Sequence, residues 1–88
     1  MKISNIEDYA KYFGTNVSQL EKDVYKYTAC GAWIKWSDND MTIGSIVEGS
    51  DAEFSHTFTF PATTEEIDAW FDELERLTDE AWREANKS

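Results

Sequence analysis

The chain has 88 residues, 41% of them hydrophobic, with eight basic side chains against eighteen acidic ones and a formal net charge of −10. That length suits a single acidic domain spanning residues 1–88, and the apolar content is too high for a disordered acidic tail. No apolar run approaches the roughly 20 residues of a membrane span, and a surface this negative repels nucleic acid and anionic lipid while drawing basic partners.

Three short polar residues, each followed three positions later by Glu or Gln, mark helix starts of the capping-box kind: Ser4 with Glu7, Asn16 with Gln19, and Thr63 with Glu66. The first predicted helix covers Asn5 to Phe13, with Ile6, Tyr9, Ala10 and Phe13 at helical spacing. Gly14 stops it, because glycine adopts the left-handed conformation without a Cβ clash. A second helix is predicted from Val17 to about Tyr27, with Val17, Leu20, Val24 and Tyr27 facing inward.

The middle of the chain reads as three strands. Cys30, Ala32, Ile34 and Trp36 share one face of the first, opposite Trp33 and Lys35. Asp38-Asn39-Asp40 is turn chemistry, and Met41 to Val47 follows as the second strand. After Glu48-Gly49-Ser50-Asp51, the residues Phe54, His56, Phe58 and Phe60 alternate with Ser55, Thr57 and Thr59. Pro61 ends this third strand, since it has no N–H for the ladder. A last helix, about Thr64 to Asn86, carries Ile67, Trp70, Phe71, Leu74, Leu77, Ala81, Trp82 and Ala85 in one apolar stripe. The order ααβββα with short turns predicts an α+β fold: a small antiparallel three-stranded sheet with helices on one face. In that packing Trp70, Leu74, Leu77 and Trp82 meet the Phe54/Phe58/Phe60 face.

Charge is divided unevenly along the chain. Residues 1–37 hold five Lys and four acids, a net of +1; residues 38–88 hold Arg76, Arg83 and Lys87 against fourteen acids, a net of −11. On the last helix, 100° steps sort the acids into two rails. Asp68, Asp72, Glu75 and Asp79 form one; Glu66, Glu73, Glu80 and Glu84 form the other, with Arg76 and Arg83 between them. One reading is a solvated face with Asp72–Arg76 and Asp79–Arg83 pairs at i,i+4. The other is a nucleic-acid mimic. Carboxylates four residues apart advance about 6 Å along a helix axis, against about 3.4 Å per phosphate of a DNA strand, so the argument rests on charge density. The turn acids Asp38, Asp40, Glu48, Asp51 and Glu53 extend the negative surface.

Catalytic and metal chemistry find little footing. His56 is the only histidine and falls on the phenylalanine face, which suits a packed side chain. Cys30 is the only cysteine, so it forms no internal disulfide, and its default is a small buried hydrophobe. No Ser-His-Asp arrangement, zinc ligand set or phosphate-cradling glycine loop is present. Asp38-Asn39-Asp40 resembles the start of a calcium loop, but Ile43 stands where that loop needs glycine and Gly49 where it needs a bidentate Glu. The expectation is a non-enzyme needing no cofactor or metal. Cysteine usage and the opening Met1-Lys2-Ile3-Ser4, which turns amphipathic at once, point to a cytoplasmic setting. Ile6, Ala10, Gly14 and Leu20 have helix-turn-helix spacing, which makes residues 16–26 a candidate recognition helix with Lys22 and Lys26 toward DNA. Glu21, Asp23 and the overall charge oppose that alternative.

The run Gly44-Ser45-Ile46-Val47-Glu48-Gly49, the Tyr27-Thr28 before Cys30-Gly31-Ala32, and Phe60-Pro61 opening an acidic Trp-containing helix resemble small proteins of phages and mobile elements. Anti-CRISPR inhibitors are among these, and several of them are acidic nucleic-acid mimics. The resemblance spans roughly residues 25–86 and assigns no residue a role. It implies a protein–protein inhibitor whose partner is a basic nucleic-acid-binding protein or complex, with no direct binding of nucleic acid or membrane.

Overall fold

A computed structural model of the chain describes residues 1–87. The element order is β1 (Lys2–Ile3), α1 (Ile6–Phe13), α2 (Val17–Tyr25), β2 (Ala32–Trp36), β3 (Asp40–Ile46), β4 (Glu53–Thr59), β5 (Ala62–Thr63) and α3 (Thr64–Ala85). β2, β3 and β4 form an antiparallel meander, with Ile34 opposite Ile43 and Met41 opposite Phe58. The α+β architecture and the order of the long elements follow the sequence pattern. The two-residue strands β1 and β5 pair antiparallel as a second small sheet, which periodicity did not predict because two residues carry none.

The helices start where side chains satisfy orphan N–H groups. Asn16 accepts from the Gln19 N–H, and Thr63 with Glu66 makes the full reciprocal capping box. The first helix is capped one residue later than its sequence suggests. Asn5 accepts from the Asp8 N–H at 2.8 Å, while Asp8 accepts from the Ser4 N–H at 3.2 Å. Asn5 therefore takes the cap expected of Ser4, while Asp8 closes on the residue before the cap rather than on the cap itself. Gly14 closes α1 in the left-handed conformation, φ 92°, and its N–H reaches back to the last turn.

The core lies between the sheet and the helices. Ala32, Ile34, Met41, Ile43 and Phe58 from the sheet meet Tyr9, Ala10, Leu20, Val24, Ile67, Phe71 and Leu74 from the helices. The opposite face of the sheet holds Lys35, Thr42, Ser55 and Thr57, with Thr42 and Thr57 hydrogen-bonded across strands at 2.8 Å. There Trp33 lies over Gly44, so close that a Cβ on Gly44 would sit 2.5 Å from its ring and 2.5 Å from the Phe54 carbonyl oxygen. Only glycine permits that approach. α2 stops at Tyr25 rather than Tyr27, and β2 begins at Ala32 rather than Cys30. Residues 26–31 are a turn whose anchor is buried Ser45: its hydroxyl meets that of Thr28 at 3.1 Å and donates to the Gly31 carbonyl at 3.2 Å.

α3 is 22 residues, about 33 Å long. The molecule measures 45 × 22 × 19 Å, so a helix of that length fits only along the long axis. Trp70 and Leu74 pack as expected, and Trp70 donates its indole N–H to the Ile43 carbonyl at 3.0 Å. Trp82 does not reach the phenylalanine face. It is 46% exposed, and Ala85 is exposed as well, because the buried stripe of α3 ends at Thr78.

Candidate acidic interface

All eight carboxylates of the two rails are exposed on α3, and their partners distinguish the flanks. Arg76 turns to the second rail: Nη1 donates to Glu80 Oε1 at 3.0 Å, while Nε and Nη2 engage Glu73. The expected Asp72–Arg76 pair is therefore absent among the described residues. Glu73 and Glu80 stand seven residues apart on one flank and both close on the same guanidinium, which turns it away from Asp72 on the other flank. Arg76 holds the Glu73 carboxyl below the usual carboxylate range, chiefly by hydrogen bonding. Glu66 is held low in the same way by the Thr63 N–H and hydroxyl. Glu84 makes no ion pair among the described residues.

The first rail also holds one arginine, but it engages one carboxylate rather than two. Asp79 pairs with Arg83 at 3.2 Å, as the i,i+4 spacing predicts. Asp68 accepts a 2.6 Å hydrogen bond from the Tyr12 hydroxyl, which neutralises no charge. Asp72 and Glu75 make neither a hydrogen bond nor an ion pair among the described residues. The effect is legible in the neighbouring phenol. Partial burial raises the Tyr27 pKa, and the negative charges of Asp72, Glu75 and Asp68 raise it further.

Beside this rail lies a groove of about 690 Å³, between α3 and the 27–30 turn. Asp72, Glu75, Thr78, Asp79 and Trp82 line one side; Tyr27, Thr28, Ala29 and Cys30 line the other, and Arg76 reaches its rim. Tyr27 leaves the second predicted helix and packs its ring, tilted, against Phe71, centroids 4.2 Å apart. Cys30 is half-buried on the groove wall rather than enclosed in the core. Sequence reasoning found the rail but not the groove, because residues 27–30 and 72–82 are far apart in the chain. The one available signal was Trp82, a large aromatic just beyond the last buried turn.

The remaining candidates gather no site. His56 shares the helix-facing side of β4 but is exposed, its ring against Phe58 at 4.7 Å and Trp70 at 5.4 Å. It is not enclosed, because β4 is an edge strand and α3 covers only part of it. His56 makes no hydrogen bond or ion pair among the described residues. In the 38–40 turn, Asp40 accepts from the Ser37 hydroxyl at 3.0 Å. Among the described residues no group of three or more His, Cys, Asp or Glu is placed to hold a metal ion, and no helix is long and apolar enough to cross a membrane. On α2, Lys22 and Lys26 are exposed beside exposed Glu21, while Leu20 and Val24 pack on the core. Comparison with protein families, curated proteins and solved structures gave no match for this chain.

Proposed function

We propose that this chain is a non-enzymatic binding protein whose acidic α3 surface engages a basic nucleic-acid-handling protein and blocks its nucleic-acid site, as an inhibitor of the anti-CRISPR type would. The observation that carries this reading is the exposed α3 face. Eight carboxylates run along a helix set on the long axis of a narrow molecule, and two arginines offset only part of their charge. Such an array meets a positive groove as a nucleic-acid backbone does, by dense negative charge rather than by shape at one point. Electrostatic steering toward that groove raises the rate of encounter. A cytoplasmic partner suits the lone thiol.

The test is a competition. The chain captures its partner from host lysate, and the purified partner is then loaded with labelled nucleic acid. Adding the parent chain releases the label, with an effect that fades as salt rises, because exposed charges are screened beyond about 8 Å at physiological ionic strength. Neutralising Asp68, Asp72, Glu75 and Asp79 to Asn or Gln slows association and weakens the release. If that variant competes as well as the parent at low salt, the acidic face serves solubility alone. The helix-turn-helix alternative requires a different pattern: duplex DNA binds the chain directly, and Lys22→Glu with Lys26→Glu abolishes it.

A further inference from the structure

We propose that the groove between α3 and the 27–30 turn seats an arginine-bearing extended segment of the partner, with the guanidinium held between the aromatic rings of Tyr27 and Trp82 and the carboxylates of Asp72, Glu75 and Asp79. This rests on the basic-partner reading and adds to it the place and chemistry of contact.

Two independent features converge on one occupant. The first is an aromatic surface left uncovered. Trp82 is 46% exposed and Tyr27 43%, and both line the groove. Tyr27 is held in place by Phe71 behind it. Trp82 stands one turn beyond buried Thr78, on the side of α3 that carries the core stripe. Indole and phenol rings in an open groove suit a flat, weakly hydrated cation, and tryptophan is the strongest of the aromatic partners for one.

The second feature is charge. Five charged groups bear on the groove: Asp72, Glu75, Arg76, Asp79, and Arg83 through its bridge to Asp79. Arg76 spends its guanidinium on Glu73 and Glu80, away from the first rail. Asp72 and Glu75 are therefore left as acceptors for an incoming donor. Burial and these same carboxylates make the Tyr27 phenol harder to ionise, which keeps it neutral as a stacking face. An arginine matches both features at once. Its planar fork pairs with carboxylates and stacks on rings, whereas an ammonium does the first as a point charge and the second poorly. A groove of about 690 Å³ is roomier than one side chain needs, which is why the occupant is a segment rather than a free cation.

The experiment titrates the isotope-labelled full chain with a capped Gly-Arg-Gly-Arg-Gly peptide at low salt, following the amide and indole N–H resonances. The peptides with lysine or with neutral citrulline in place of arginine serve as comparisons. The expected result is saturable movement of the Trp82 indole N–H and the Cys30 and Thr78 amides. The lysine peptide binds several-fold more weakly, and the citrulline peptide moves nothing. Trp82→Ala and the pair Asp72→Asn with Glu75→Gln each weaken the arginine peptide by roughly fivefold or more, as the loss of a cation–π contact or a charge pair does. Glu7→Gln, which removes one charge elsewhere, leaves it unchanged. Retained amide dispersion verifies that Trp82→Ala is folded; if it is not, the Asp72/Glu75 pair decides alone. If the arginine peptide moves both rails evenly and neither groove variant weakens it, the groove inference fails while the basic-partner reading stands. If the arginine peptide binds nowhere on α3 at low salt, the basic-partner reading fails with it.

Discussion

Replacing Asp72 by Asn and Glu75 by Gln should make the domain more stable. Along the first rail of α3, Asp68 and Asp72 are four residues apart, Asp72 and Glu75 three, and Glu75 and Asp79 four. Each is a like-charge neighbour on the helix surface, and such pairs destabilise a helix by about 0.2–0.5 kcal/mol. Removing the two middle charges removes all three repulsions, a gain of about 0.6–1.5 kcal/mol if they add. The change leaves the Tyr12–Asp68 hydrogen bond and the Asp79–Arg83 bridge in place. Both positions are mid-helix, where the macrodipole contributes little, and both are exposed, so no packing is lost. For a domain of this size, 1 kcal/mol corresponds to roughly 4–8 °C in Tm. Urea denaturation followed by circular dichroism at low salt should show the gain as a higher midpoint with an unchanged slope. In 1 M NaCl, where screening acts beyond about 3 Å, the gain should vanish. A variant no more stable than the parent at low salt, or one whose gain survives in 1 M NaCl, would refute the claim that this flank is under electrostatic strain. A gain that salt removes marks carboxylates whose placement serves something other than folding.

Four further outcomes are expected. Leu74→Ala, at a fully buried position, should cost about 2–5 kcal/mol, while Trp82→Ala should cost far less because its ring is half in water; thermal denaturation of both compares them directly. Tyr9→Phe should leave stability equal or raise it by about 1 kcal/mol, since the Tyr9 hydroxyl is buried with no hydrogen-bond partner among the described residues and an unsatisfied buried group carries its full desolvation cost. Ser45→Ala should destabilise by about 1–3 kcal/mol, because the Thr28 hydroxyl and Gly31 carbonyl lose the same buried partner. Stability should fall as pH rises above about 10, the ordinary tyrosine range: burial raises the Tyr9 and Tyr27 pKa values, and the hydrogen bond to Asp68 raises that of Tyr12, so the unfolded chain releases protons the folded chain still holds. Tyr9→Phe should flatten that alkaline loss, which urea midpoints across the pH range would measure.

The parts of this structure that were legible in the sequence are those governed by local rules. Thr63 and Glu66 announce their capping box because a Thr followed three residues later by a Glu suffices for the exchange. The 54–60 segment announces its strand because alternation has a period of two. The sheet's inner face followed from β2 in the same way, with Ala32 and Ile34 buried and Lys35 exposed. What was not legible depends on where other elements stop. Cys30 and Tyr27 sit outside the regular elements because the turn anchored by Ser45 occupies residues 26–31, and that anchor comes from β3. Arg76 had acids of both rails within helical reach, and spacing alone does not rank them; the two Glu side chains that engage it together from one flank decide it.

Trp82 makes the limit sharpest. It lies eighteen residues from Thr64, which is five whole turns at 3.6 residues per turn, so the two occupy the same angle on the helix. Thr64 is 5% exposed and Trp82 46%. A helical wheel assigns both to the inner face, and for Thr64 it is right, because Met1 and the small sheet cover that end; the Thr64 N–H donates to the Met1 carbonyl at 2.9 Å. At the other end Trp82 lines the open groove. Periodicity thus reports which side of a helix is apolar, and the lengths of its neighbours decide how much of that side is covered. The uncovered remainder lies beside Asp72 and Glu75, which make neither a hydrogen bond nor an ion pair among the described residues. Neither feature marks a site alone: the charge is visible in the sequence and the opening only in the fold. Their coincidence on one stretch of α3 is what singles out that stretch, within a generally acidic surface, as the place proposed for a basic partner.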